Sequence, residues 1–186
     1  MGNSKNVIVR NLGSVDFEES FKIQKQIQNE IIDIKLNNRK NNLNLSTPNY
    51  LLFMEHNHVY TLGNSGDDKN LLFNEKELDK KGIKFIKTNR GGDITYHGPG
   101  QLVCYPIFDL ENFYTDIHRY LRDLEEIIVG TLDHFGIVAF GNPNETGVWL
   151  DIGSKNERKI CAMGIKVSRW VTMHGFALNV NCDLSY

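Results

Sequence analysis

The chain has 186 residues, which is long enough for one domain with a full hydrophobic core. With 40% hydrophobic and 24% charged residues it has the composition of a soluble globular protein, and its net charge of −2 argues against a dedicated nucleic-acid-binding protein. No apolar run is long enough to span a membrane, no signal-peptide pattern is present, and the three cysteines lack metal-type spacing. We therefore expect a cytoplasmic protein with reduced thiols and no metal or other cofactor.

The predicted elements alternate between strands and helices along the chain. Strands are predicted over residues 6–12, 50–55, 58–62 and 83–88, then over 102–109, 137–140, 147–151, 159–167 and 171–181. One helix is predicted from an Asp16 cap to Leu36, a short one over 75–80, and a third from Ile117 to Leu132 with Gly136 as its end. Residues 37–49 are polar and predict a loop. This order favours a single domain over residues 1–186, of mixed α/β (α+β) class, in which helices flank a largely antiparallel sheet.

The segment 90–101, which we call the cradle, has the sequence RGGDITYHGPGQ. Its glycines permit positive φ and close approach of another molecule to the main chain. One interpretation is a tight connection between two strands. The density of polar and aromatic side chains between the glycines favours the other interpretation, a ligand-binding segment.

The strand predicted over 159–167 places Lys159 in one row with Cys161, Met163 and Ile165, because side chains alternate along a strand. On the residues alone, a surface lysine at a strand end is the commoner outcome, and a partly desolvated lysine with a shifted pKa is the alternative. On the opposite face the row of small residues at 162 and 164 leaves room for a ligand or another backbone.

Alternation also predicts that the thiols of Cys104, Cys161 and Cys182 pack in the core rather than act as nucleophiles. His174 precedes a run of small residues, so it either lines a pocket or is a satisfied structural histidine. The pair at 56 and 58 has no third metal ligand nearby. Four lysines at 80, 81, 84 and 87 form either a positive cluster that could meet an acidic partner or a solvated strand face.

Several motifs resemble those of one family. Residues 90–103, continuing to 105–107, resemble the signature of the octanoyltransferases of lipoate biosynthesis. Residues 55–56 with 59–63, 146–149, 159–160 with 162–164, and 174–181 are similar to further motifs of that family, in the family's order. The resemblance covers most of the chain. It implies the fold of the biotin and lipoate protein ligase catalytic domains.

The resemblance also implies an activity and its partners. An octanoyl group would pass from octanoyl-acyl carrier protein to a lysine of a lipoyl domain, in 2-oxoacid dehydrogenases and in the glycine cleavage H protein, without nucleic acid, membrane or cofactor. The family works through a Cys/Lys dyad and a thioester, and Lys159 matches the dyad lysine. The positions that match the family's tunnel for the acyl and pantetheine groups are Arg90, Gly91, Gly92, Asp93, Ile94, Thr95, Tyr96, His97, Ala162, Met163, Gly164, Gly175, Phe176 and Ala177.

The family nucleophile lies in a Pro-Cys-Gly segment after the late strand, and none of the three cysteines has that context. We therefore expect the nucleophilic cysteine beyond Tyr186, and we favour a fragment over a degenerate homologue. Residues 1–186 alone are expected to be catalytically silent.

Two other function classes stay open from the sequence. One is an ATP-dependent lipoate or biotin protein ligase of the same fold, against which the Tyr-His-Gly-Pro-Gly run speaks. The other is a non-catalytic binder of acylated carrier protein. ATP consumption separates the ligase from the transferase, and mutation of Lys159 separates either enzyme from the binder.

Overall fold

The computed structural model describes residues 5–186. Within them the chain forms three α-helices and ten strands, with these bounds: β1 (Val7–Ser14), α1 (Phe17–Asn41), β2 (Asn49–Glu55), β3 (Val59–Leu62), α2 (Glu75–Lys81), β4 (Lys84–Lys87), β5 (Ile94–His97), β6 (Gln101–Ile107), α3 (Ile117–His134), β7 (Phe140–Asn142), β8 (Glu145–Leu150), β9 (Arg158–Ser168) and β10 (Val171–Asn179).

The helix α1 begins as its sequence predicts and ends five residues later than predicted. The Asp16 carboxylate accepts a hydrogen bond of 3.0 Å from the Glu18 N–H and caps the first turn. The apolar repeat stops before the helix does. The helix continues because polar contacts stabilise its last turns. Lys35 forms a buried ion pair with Asp109, and the helix closes at Asn42 in the left-handed conformation.

Two sheets organise the chain. The larger has seven strands in the order β1-β2-β6-β10-β9-β8-β7, and every neighbouring pair except β1–β2 is antiparallel. The smaller has the order β4-β3-β5. The predicted mixed α/β class with a largely antiparallel sheet is confirmed. The β9–β10 hairpin turns through Arg169 and Trp170 at φ of 49° and 64°, as a two-residue type I′ turn requires.

The two main helices pack on opposite faces of the large sheet. On one face Ile27 and Ile31 of α1 pack with Val103, and on the other Ile128 of α3 packs with Cys104. Since residues 103 and 104 are consecutive on β6, their side chains point to opposite faces. Each fully buried aliphatic side chain of this kind contributes about 1.5–3 kcal/mol through burial. Among residues 5–186, no helix is both long and apolar enough to cross a bilayer.

Two strand predictions need correction. The cradle contains an unpredicted strand, β5, because residues 94–97 pair with β3 through long-range contacts. Of the predicted strand 137–140 only Phe140 lies in β7, which runs on to Asn142. The Ile137 N–H bonds back to the Leu132 carbonyl and extends the end of α3, so the segment before Phe140 is a helix exit rather than a strand.

Candidate active site

A central cavity lies where the cradle meets the large sheet. Its walls come from the start of α1, from β5 and β6, and from the middle of the β9–β10 hairpin. Nine of the fourteen predicted substrate-binding residues line it: Arg90, Thr95, His97, Ala162, Met163, Gly164, Gly175, Phe176 and Ala177. The structure therefore brings the cradle together with two neighbouring strands that follow it by more than 60 residues in the sequence.

The strand β5 divides the cradle between two environments. Thr95 and His97 point into the central cavity. Ile94 and Tyr96 alternate with them and pack on the other side with Tyr60 and its neighbours. Of the remaining predicted residues, Asp93 is exposed and accepts a hydrogen bond from Asn70, so it does not line the cavity.

Arg90 is a buried cation at the cavity wall. Its guanidinium donates to the Thr61 carbonyl at 2.6 Å, to the Thr61 hydroxyl at 2.9 Å and to the Gly91 carbonyl at 3.0 Å. Among the described residues, no carboxylate lies within ion-pair distance of it. Burial accordingly lowers the pKa of Arg90 to about 10. It stays charged at neutral pH and gives the cavity wall a fixed positive field.

The cradle is seated on the edge of β9 by a close backbone approach. The Gly91 N–H donates to the Ile165 carbonyl at 2.9 Å. A Cβ atom at position 164 would lie 2.6 Å from the Gly91 carbonyl oxygen, so only glycine permits this contact. The row of small residues was expected to leave room for either a ligand or another backbone. Beside Gly164 this room is filled by the backbone of the cradle.

Three buried histidines surround the cavity. The Nδ1 atom of His97 lies 2.7 Å from the Gln101 side-chain oxygen, and His174 Nε2 lies 2.9 Å from the Asn89 side-chain oxygen. Burial lowers the pKa of both His97 and His174 to about 3, and lowers the pKa of His56 as well. All three imidazoles are therefore neutral at physiological pH. His174 lines the cavity and also hydrogen-bonds through its backbone N–H and its ring Nε2, so the two alternatives for this residue are compatible.

Lys159 faces the cavity side of the sheet because of a β-bulge. Val148 pairs with Cys161, but the next residue, Trp149, pairs with Lys159, so one extra residue is inserted in β9. Val148 and Trp149 point to opposite faces, and Lys159 therefore lies on the face opposite to Cys161. The prediction that both share one row is wrong. The bulge instead puts Lys159 on the same face as Ala162.

A second cavity surrounds this lysine. It is lined by Lys159 with Leu150, Arg158, Ile160, Asn179, Val180, Cys182 and Leu184. The Lys159 ammonium lies 4.5 Å from the centroid of the Trp149 ring and 3.9 Å from the Glu145 carboxylate. Its side chain is 34% exposed, so this amine is accessible to a partner molecule.

A chain of hydrogen bonds joins the two cavities. The Gln101 side-chain amide nitrogen donates to the Asn179 side-chain oxygen at 2.9 Å, and the Gln101 side-chain oxygen hydrogen-bonds to His97 Nδ1. The Cys182 thiol donates to the same Asn179 oxygen at 3.3 Å. A polar connection thus runs from the central cavity to the lysine cavity along β6 and β10.

Comparison with known proteins decides the family. Residues 19–186 match the family model described as the lipoyl protein ligase A/B catalytic domain. The chain belongs to this family. The octanoyltransferase of Christiangramia forsetii is 60% identical over 183 residues, which are 98% of this chain and 78% of that protein. The octanoyltransferase of Flavobacterium johnsoniae is 58% identical over the same share of this chain and 79% of its own length.

Solved structures of lipoate protein ligases show the same fold. A bipartite lipoate protein ligase of Thermoplasma acidophilum aligns with a TM-score of 0.65 and 20% identity, over 96% of this chain and 64% of its own length. P. falciparum LipL1, solved in complex with lipoate, aligns with a TM-score of 0.67 and 16% identity, over 96% of this chain and 49% of its own. At such low identity these structures establish the fold of this family member and nothing more.

The cysteines of this family member divide into two groups. Cys104 and Cys161 are fully buried, as alternation predicts, and burial raises the pKa of both thiols. Cys182 is only partly buried, so its assignment to the core is wrong. The strand β10 ends at Asn179, and strand alternation does not extend three residues further. Burial also raises the pKa of the Cys182 thiol, which favours its protonated form.

Two of the four lysines in the predicted cluster form ion pairs with carboxylates. Lys84 pairs with Asp16 at 2.8 Å and with Glu18 at 3.2 Å, and Lys87 pairs with Asp68 at 2.6 Å. Of the two alternatives for residues 80–87, these pairs favour a solvated strand face over a free positive surface.

Two cavity residues have no prediction from the sequence, namely Phe17 and Tyr105. Tyr105 lies on β6, on the same face as Gln101 and Val103, because side chains alternate along a strand. Strand alternation therefore predicts where its side chain points once β6 is placed. Phe17 is brought to the cavity by the docking of α1, and no local pattern marks it.

Proposed function

We propose that the chain transfers an octanoyl group from an acyl carrier protein thioester to a lysine of a lipoyl domain. The observation that best supports this proposal is the pair of cavities along β9 and β10. One is walled by small and aromatic side chains suited to an alkyl chain, and the other contains the amine of Lys159. The curated relatives named octanoyltransferase are 45–60% identical to this chain, which supports the same acyl group.

The octanoyl chain is proposed to lie in the central cavity, whose volume of about 20 Å³ has to widen as the chain enters. Ala162 and Ala177 of the hairpin present only methyl groups to the cavity, which leaves their surface open to an extended hydrocarbon. Arg90, which gives the wall a fixed positive field, and the neutral His97 lie at the same cavity, and the carbonyl end of the chain is proposed to point toward the second cavity, where Lys159 lies. We propose that Arg90 and His97 both take part in substrate binding.

The chemistry proposed for Lys159 is proton transfer. In the first half-reaction an enzyme thiol bonds to the octanoyl carbonyl carbon, the carrier sulfur leaves, and the thiol proton passes through the amine to that sulfur. In the second half the lipoyl-domain amine attacks, a C–N bond forms, the C–S bond breaks, and the enzyme sulfur regains a proton. The thiol is expected from a residue after Tyr186. Cys182 also lines the Lys159 cavity, so a Cys182→Ser variant belongs in every assay.

The donor specificity tests the proposal. The protein expressed from its complete reading frame is incubated with an apo-lipoyl domain and either octanoyl-carrier protein without ATP or free octanoate with ATP. Mass spectrometry of the lipoyl domain is expected to show octanoylation from the carrier thioester alone. Octanoylation only from octanoate and ATP would indicate a ligase, and octanoyl-carrier binding without transfer under either condition would indicate a binding protein.

A further inference from the structure

The strand β10 lacks a partner strand over part of its length, on the side of β6. Pairing with β6 covers only Phe176 to Asn179, and it resumes as a single bridge between Asp109 and Val171. In the gap β6 contains Pro106, which has no N–H to donate. The backbone groups of β10 opposite this gap therefore need other hydrogen-bond partners.

Two buried glutamines of α1 supply those partners. The Gln24 side-chain oxygen accepts a hydrogen bond of 3.0 Å from the His174 N–H. One turn later, the Gln28 amide donates at 2.9 Å to the Val171 carbonyl. Both side chains are buried, at 0% and 4% exposure. Both glutamines hydrogen-bond to the backbone of β10, Gln24 as acceptor and Gln28 as donor, but only Gln24 contacts a residue of the central cavity.

The residue held by Gln24 has an unusual backbone. His174 lies in the middle of β10 at φ 61°, in the left-handed region that non-glycine residues rarely adopt. Its ring lines the central cavity and reaches Asn89, the residue before Arg90. The conformation of His174 thus fixes both the start of the 174–177 wall and the approach of the cradle.

We propose that Gln24 is a positioning residue for the central cavity. Its side-chain oxygen holds His174 in the left-handed conformation, and this orients the wall against which the acyl group packs. The proposal rests on the acyl-binding role of the cavity. The amide nitrogen of Gln24 is buried and, among the described residues, makes no hydrogen bond, so the contact to His174 is the bond that retains the side chain there.

Octanoyl-pantetheine is the probe for this proposal, and Gln28→Leu is the matched control for Gln24→Leu. Binding is measured by calorimetry, unfolding by urea titration, and exchange of the His174 amide by NMR. Gln24→Leu is expected to weaken binding about tenfold, which is the equivalent of one hydrogen bond to a buried group, and to speed exchange at His174. Gln28→Leu is expected to lose similar stability while binding as tightly as wild type. Gln24→Glu keeps an acceptor oxygen when its buried carboxyl group is protonated, and in that form it is expected to recover most of the affinity.

The outcomes separate the two claims. If wild type binds the probe and Gln24→Leu binds it within twofold, or if Gln28→Leu weakens binding equally, the positioning role is wrong. If wild type does not bind the probe, the acyl cavity is wrong. The positioning claim is then decided by the His174 amide, whose exchange has to be faster in Gln24→Leu than in Gln28→Leu.

Discussion

The buried histidines of the central cavity predict a steep loss of stability in mild acid. His97 and His174 are 6% and 1% exposed, and burial lowers the pKa of each to about 3 from an ordinary 6.5. Below pH 6.5 the unfolded chain therefore binds two protons that the folded chain does not. The stability that the neutral imidazoles contribute is complete above pH 6.5 and is lost as the pH falls toward 3.

The size of this loss follows from proton linkage. Each histidine lowers the free energy of unfolding by about 1.4 kcal/mol per pH unit once the pH is below 6.5. Between pH 7.5 and pH 5 this amounts to about 2 kcal/mol per histidine, or about 4 kcal/mol for the pair. His56 shifts in the same direction and adds to the loss. The Asp16 carboxylate, whose pKa is lowered mainly by its hydrogen bond to Lys84, loses its contribution only below its unfolded value of 3.8, outside this interval.

Urea unfolding at a series of pH values between 5 and 7.5 measures this dependence. His97→Gln is expected to remove about 2 kcal/mol of it, because glutamine does not titrate. His134→Gln, at an exposed position near the end of α3, is the control and is expected to leave the dependence unchanged. A wild-type stability that is flat over this interval, or a His97→Gln dependence equal to that of wild type, would refute the reasoning.

Three further perturbations test other parts of the structure. Gly130 of α3 is exposed and a Cβ there would contact nothing, so Gly130→Ala is expected to raise the free energy of unfolding by about 0.5–1 kcal/mol in urea titrations, and a decrease would contradict the placement. A thiol reagent is expected to label native Cys182 at least tenfold faster than the fully buried Cys161, and equal rates in peptide mapping would disprove their different burial. Gly164→Val is expected to abolish octanoyl-pantetheine binding while urea unfolding stays cooperative, because its Cβ meets the Gly91 carbonyl; unchanged binding would exclude the cradle from the site.

Local patterns predicted the elements whose residues repeat with a clear period. The α3 helix and the β9–β10 hairpin were found within a few residues, because their apolar rows match the helical and strand repeats. The gathering of Arg90, Ala162 and Gly175 at one cavity was expected from motif resemblance, and no periodicity predicts it.

The parts that could not be predicted depend on contacts distant in sequence. The bulge that turns Lys159 to the cavity face is visible only from the pairing of β9 with β8, and strand alternation alone puts this residue on the wrong side. The strand β5 forms because β3 pairs with it, although its own residues are flanked by glycines. The contact of Gln24 with His174 joins positions 150 residues apart, beyond the reach of any local pattern.

The most direct test of the proposed reaction is the Lys159 dependence of lipoyl-domain octanoylation from octanoyl-carrier protein. Lys159→Met is compared with Lys155→Met, which changes an exposed lysine in the turn before β9, and with Cys182→Ser, all in the complete reading frame. Intact mass is expected to show an octanoyl amide on the lipoyl domain with wild type, Lys155→Met and Cys182→Ser, and none with Lys159→Met. Octanoylation by Lys159→Met at the wild-type rate would contradict the account.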